Sequence, residues 1–259
     1  MLNALIYGAI ASSGLLIGAV IGLLFTPSRR IIASVLAFGS GVLVSALTFE
    51  LMEEAVQKGS TFYVAGGFLV GAVIYVVTAH ILDRLAARTV KREGRHARDV
   101  KPRAQGHESK EAAAISGTAL LVGAILDGIP ENAAIGISLR AEGAGLGIIL
   151  LVAVFMGNLP ESISSSVGMR REGRSRLYVV GVWGAAAVVT TLAAVVGYEV
   201  LQGLSADMIS ALLALAAGGI LAMLADTMMP EAFENGGPFV AIATSIGFLA
   251  AVLISDFTR

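Results

Sequence analysis

Cysteine is absent from this chain of 259 residues, and histidine occurs only three times, at His80, His96 and His107. The first absence excludes disulfides and thiolate metal sites outright. Charge is scarce as well: 14% of the residues are Asp, Glu, Lys or Arg, whereas 56% are hydrophobic. A soluble domain of this length needs far more charge to coat its surface, so the composition is that of an integral membrane protein. No P-loop pattern and no nucleophile–base pair is visible, so neither ATP coupling within the chain nor an enzymatic activity is expected. The stretch "HESK" at His107 is not H-E-x-x-H, and a zincin-type membrane protease finds no support. The opening "MLNALIYGAIASSG" has no basic n-region and no A-x-A cleavage site. It is expected to be a first membrane helix rather than a signal peptide.

What the chain does have is long apolar runs. A membrane helix needs about 20 largely apolar residues to cross a hydrocarbon core of about 30 Å. Eight segments meet that requirement, at roughly 4–25, 31–53, 61–83, 114–138, 144–168, 177–200, 207–232 and 237–256. The expected fold is all-α, an integral membrane domain of eight transmembrane helices occupying the whole of 1–259. Lys and Arg are retained on the cytoplasmic side of membrane proteins. Here Arg29 and Arg30, nine basic residues between Arg84 and Lys110, and four from Arg170 to Arg176 fall in alternate loops, leaving only Lys58, Arg140 and Arg259. Both termini are therefore expected outside, in a multi-pass protein of the plasma membrane. The long loop at about 84–112 is polar, basic and without hydrophobic periodicity, and reads as a cytoplasmic linker. Its charges serve topology, no nucleic-acid partner is expected, and His96 and His107 read as part of a solvated loop rather than as ligands.

Internal repeats say more. "GAILDGIPENAAIG" and "AVFMGNLPESISSS" align at an offset of 30 residues, which matches Asp127 with Gly157, Gly128 with Asn158, Pro130 with Pro160 and Glu131 with Glu161. Helices 4 and 5 run in opposite directions, so the match is an inverted one. A weaker echo at an offset of 177 sets "TFELMEEA" of helix 2 over "ADTMMPEA" of helix 7, with Glu54 over Glu231. The reading is an inverted repeat of helices 1–3 against 6–8, with helix 4 against helix 5. Inverted repeats with interrupted helices near the midplane mark secondary transporters and point to their substrate sites.

The acids in these stretches carry the chemistry. Asp127 and Glu131 stand at i and i+4, and Asn158 and Glu161 at i and i+3, so each pair shares one helix face. Pro130 and Pro160 each remove a backbone donor, freeing the carbonyl of Leu126 or Met156, and each is expected to break or kink its helix. An ionised acid at the bilayer centre costs ~3 kcal/mol or more, and is kept only for a partner or a task. No Lys or Arg lies in the middle of any of the eight spans. Asp127, Glu131 and Glu161 are therefore either protonated or balanced by a cation from solution, and a site alternating between those states exchanges metal for protons. Structural acids bonded helix to helix around proline kinks are the plain alternative. Three acids paired with prolines in a repeated pattern argue against it.

These residues resemble the ZIP (ZRT/IRT-like) metal transporters. That family has eight membrane helices, both termini outside and a long cytoplasmic loop between helices 3 and 4. Its helix 4 carries H-N-x-P-E-G and its helix 5 H-x-x-P-E or Q-D-x-P-E. Here helix 4 reads "DGIPEN" and helix 5 "GNLPES". Asp127 stands where the family has histidine and Gly128 where it has asparagine, while Pro130 and Glu131 are retained. Asn158, Pro160 and Glu161 fill the second, fourth and fifth helix 5 positions. The resemblance implies a metal site made by Asp127, Glu131, Asn158 and Glu161. It also implies a divalent cation such as zinc, manganese or iron as transported substrate, movement into the cytoplasm by alternating access, and no cofactor. Every motif histidine is missing, and a set of carboxylates, amide and carbonyls suits manganese, magnesium or calcium better than imidazole does, without excluding zinc. The family's helix 7 motif is close to H-E-x-x-P-E, and "DTMMPE" keeps Pro230 and Glu231 with Asp226 at the histidine position.

Asp226, Glu50 and Met156 are candidates for the pathway, against helix-end capping for the two acids and plain packing for the methionine. Helix 6 offers only Thr190 and Thr191 where many family members have a carboxylate, so one main site is expected. His80 reads as an interfacial anchor. Gly14, Gly18 and Gly22, at intervals of four, form a small-residue seam for close packing within the subunit or for a homodimer. A different class of function, a homologue that binds metal or protons as a sensor or structural partner without transporting, remains as the alternative.

Overall fold

The computed structural model describes residues 1–98, 117–142 and 144–258. Among these the chain forms eight continuous helical segments and no strand: α1 Leu2–Leu24, α2 Arg29–Lys58, α3 Thr61–Arg98, α4 Gly117–Glu142, α5 Ala144–Arg171, α6 Arg176–Val200, α7 Ala206–Gly236 and α8 Val240–Thr258. Serine caps begin α2, α6 and α7. The side chains of Ser28, Ser175 and Ser205 accept from the backbone N–H of Ile31, Tyr178 and Met208, which satisfies donors the first helical turn leaves open.

Six segments are long and apolar enough to cross a membrane: Leu2–Leu24, Arg29–Lys58, Thr61–Ile81, Leu150–Arg171, Arg176–Val200 and Ala206–Gly236. Val240–Asp256 is apolar over a shorter length. Among the described residues six crossings meet that criterion. Helix α4 holds Asp127, Glu131 and Arg140, and is buried through most of Asp127–Leu139. A helix with polar residues in that setting is shielded by its neighbours rather than by lipid. Lipid-facing positions sit on the outer helices, as in the stripe Val188, Leu192 and Val196 of α6, at 60%, 53% and 60% exposure.

Two boundaries depart from the sequence reading. Helix α3 continues past residue 83 to Arg98, so the first half of the expected linker is helical. Its Ala, Arg, Lys and Glu are good helix formers, which polarity alone concealed. The rest of that loop, with His107, lies outside the described residues. Pro130 and Pro160 also do not break their helices: α4 and α5 run without interruption through both. Neighbouring helices hold a proline-bearing membrane helix together at the loss of a single bond.

The irregular turns lie elsewhere. In α2, residues Leu47–Met52 form a π-helical turn, and in α7 residues Leu224–Met228 form another. Pro230 follows the second and cannot donate to the carbonyl of Asp226, which favours a widened turn there. Nothing in the local sequence of α2 accounts for its counterpart. The two turns begin 177 residues apart, the same offset that separates the caps Ser28 and Ser205, the glycines Gly41 and Gly218, and the acids Glu54 and Glu231.

Packing divides the segments into two groups. Helix α1 lies along α5 and α6 along α4, while α3 lies along α7 and α8 along α2. Glycines set the close approaches. A side-chain carbon at Gly41 would overlap the Thr244 carbonyl, one at Gly247 that of Phe38, one at Gly218 that of Phe68 and one at Gly71 that of Leu215. The seam of Gly14, Gly18 and Gly22 packs inside the subunit, against the carbonyls of Phe155, Leu159 and Ile163 on α5. Gly18→Leu is expected to destabilise the protein by about 1–3 kcal/mol or more, because the Leu159 carbonyl and Ser162 hydroxyl occupy the space it needs. Thermal unfolding in detergent checks this, with Gly66→Ala, which faces open space, expected to behave as the parent.

Candidate metal centre

Helices α4 and α5 lie against each other and bring their quoted stretches together. Asp127 and Glu131 are buried, at 8% and 3% exposure, and Glu161 is partly buried. Asp127 is within electrostatic range of Glu131 and of Glu161, and Glu131 within range of Glu161. The three acids predicted from charge in an apolar setting thus lie within electrostatic range of one another. Among the described residues, no Lys, Arg or His pairs with any of them. The ion pair there joins Lys58 to Glu54 at 2.9 Å, at the end of α2.

The cluster extends further than the α4 and α5 motifs. From α7, Glu231 lies near both Asp127 and Glu161, and Asp226 lies near Asp127. From α3, the hydroxyl of Tyr75 donates to Asp127 Oδ1 at 3.4 Å. Glu231 was visible in the sequence through its match to Glu54 and its place in the helix 7 stretch "DTMMPE", and Tyr75 gave no signal at all.

The amides bond backbone carbonyls. Asn158, at 1% exposure, donates through Nδ2 to the Ala11 carbonyl of α1 at 3.1 Å, which fixes its side chain and leaves its oxygen as an acceptor. Asn132, a residue the sequence reading passed over, donates to the Gly128 carbonyl at 2.9 Å. Its oxygen accepts from Ser12 at 3.3 Å, and the Ser12 hydroxyl also meets that of Thr190 at 2.8 Å. This polar seam through α1, α4 and α6 holds Thr190 in a structural bond. A buried amide satisfied in this way orients its helix rather than drawing in water.

The remaining candidates are more dispersed. Glu50 is buried in the π turn of α2, and Asp226 sits exposed in that of α7. Met156 lines an apolar groove of about 400 Å³ with Val35, Phe38, Ala243 and Ile246. Pro160 is buried and Pro130 partly so. Among the described residues, no three Asp, Glu or His side chains close on one ion-sized point.

The family model of the ZIP zinc transporter matches residues 1–255, nearly the full chain. The chain belongs to the ZIP zinc transporter family. It is accordingly a multi-pass membrane protein of a family of transporters, not of enzymes, whose cargo is a metal ion. No curated protein matches it. This ZIP family member builds its helix 4 and helix 5 stretches without histidine.

Proposed function

We propose that this ZIP family member is a secondary transporter that moves a divalent metal cation across the plasma membrane into the cytoplasm by alternating access. Its ligands are Asp127, Glu131, Asn158 and Glu161. The observation that carries the reading is that three acids from two antiparallel helices lie within electrostatic range of one another with no basic partner among the described residues. Two charges brought by an ion offset what the fold leaves unbalanced. An oxygen-only set favours manganese over zinc relative to a histidine site. Glu231 and Asp226 flank the cluster on the α7 side and extend the acidic path.

The packing supports a moving part and a fixed part. Helices α1, α4, α5 and α6 form one bundle, and α2, α3, α7 and α8 the other. Exchanging α1 with α6, α2 with α7, α3 with α8 and α4 with α5 turns the strongest helix pairs into one another, as an inverted repeat requires. The landmarks 177 residues apart add to that reading. Eight crossings in a single domain, with both termini outside, complete it.

The test is purified protein, first in detergent and then in proteoliposomes, titrated with Mn²⁺, Zn²⁺, Cd²⁺ and Mg²⁺. Stoichiometric binding and saturable uptake are expected. Affinity is expected to fall as pH is lowered, since protons compete for the same carboxylates. Binding without uptake would replace transport by the sensor or structural role, and binding of no cation would remove the metal reading altogether.

A further inference from the structure

Tyr75 is the side chain through which α3 of the second bundle reaches the candidate site. On α3, Gly67, Gly71 and Tyr75 follow one another at intervals of four and so share a face. The two glycines press α3 against α7, where side-chain carbons would overlap the carbonyls of Ala211 and Leu215. The next residue on that face extends past α7, and the Tyr75 hydroxyl meets Asp127 Oδ1 of α4 at 3.4 Å. Helices α3 and α4 otherwise scarcely touch, so a shorter side chain would not span the gap. The same hydroxyl lies beside that of Thr227, in the π turn of α7. Tyr75 itself is 9% exposed.

We propose that Tyr75 competes with the transported cation for Asp127, and that loss of its hydrogen bond on ion binding loosens the contact between the two bundles. This rests on the metal reading of Asp127 given above. At 3.4 Å the bond is long for an O–H donor, hence weak and easily exchanged. A divalent cation that takes Asp127 Oδ1 removes the acceptor, and the phenol turns to Thr227. The bond joins α3 of one bundle to α4 of the other, so any sliding of the bundles must also break it. Occupancy and movement are thereby linked through one oxygen atom. Tyr75 is a positioning residue in this scheme, not a ligand.

The test is Tyr75→Phe, which keeps the ring and its packing and removes only the hydroxyl. Purified Tyr75→Phe is expected to bind Mn²⁺ about 5-fold more tightly than the parent, as befits loss of one competing hydrogen bond. In an Asp127→Asn background the same substitution is expected to change affinity by less than about 2-fold, because the competition has been removed already. Unchanged or weaker binding in Tyr75→Phe, with Asp127→Asn impaired, would overturn this inference and leave the metal site standing. Equal binding by the parent and Asp127→Asn would instead remove Asp127 from the site.

A second measurement needs no metal. The chain has no cysteine, so spin labels at Gln57→Cys of α2 and Gln202→Cys, just past α6, report the distance between bundles without background. In ion-free protein, Tyr75→Phe is expected to shift or broaden that distribution toward the one Mn²⁺ gives in the parent. An unaltered distribution would overturn the coupling whatever the binding shows.

Discussion

Glu131→Gln combined with Glu161→Gln is expected to abolish metal uptake and to lower metal affinity on the order of 100-fold or more. Even an outer-shell change at a metal site costs about 10- to 100-fold, and here two inner oxygens lose their charge. Glutamine keeps the shape and an oxygen acceptor at each place, so helix packing between α4 and α5 should survive. The second half of the expectation separates a site from a structural cluster. Glu131 is buried, Glu161 partly so, and both lie near Asp127 with no basic partner among the described residues. Removing two mutually repelling acids is therefore expected to stabilise the metal-free protein by roughly 1–3 kcal/mol. Added Mn²⁺ should raise the melting temperature of the parent and not that of the variant. Lowered stability with metal affinity intact would mean the acids hold helices together and the ion binds elsewhere.

Much of this was legible in the sequence because the bilayer makes charge conspicuous. Asp127, Glu131 and Glu161 stood out as acids in apolar runs, and in the structure the three lie within electrostatic range of one another. The repeat at an offset of 177 rested on a few letters. The caps Ser28 and Ser205 and the two π turns recur at that same offset, which supports the reading from features other than composition. Other features had no sequence signal. A π turn is a shift of one residue in the hydrogen-bond ladder, and hydrophobic periodicity does not register it. Tyr75 is one aromatic residue on a lipid-exposed helix, and its role depends on which helix the glycines at Gly67 and Gly71 pack against. Pro130 and Pro160 pointed to broken helices because an isolated helix would break there. Packed among neighbours, neither helix does.

Asp127→His, which restores the residue the ZIP motif has at that place, is expected to shift selectivity from Mn²⁺ toward Zn²⁺ by about 10-fold or more, since imidazole follows zinc and carboxylate oxygen follows manganese. The position is suited to the exchange. Asp127 is buried beside Glu131 and meets Tyr75, whose hydroxyl can bond an imidazole nitrogen as it now bonds Oδ1. A metal-ligating histidine needs such a partner on its other nitrogen to fix its orientation. The substitution also removes one acid from a cluster that Glu161, Glu231 and Asp226 share. Affinity for hard cations should therefore fall for two reasons, the lost charge and the lost oxygen, while zinc loses only the first. Competition uptake of Zn²⁺ against Mn²⁺ in proteoliposomes reads the ratio directly. A uniform loss of both would mean that Asp127 tunes the field around the ion without touching it. A ratio that moves toward zinc would identify the missing histidine as the determinant that sets this chain apart from its family.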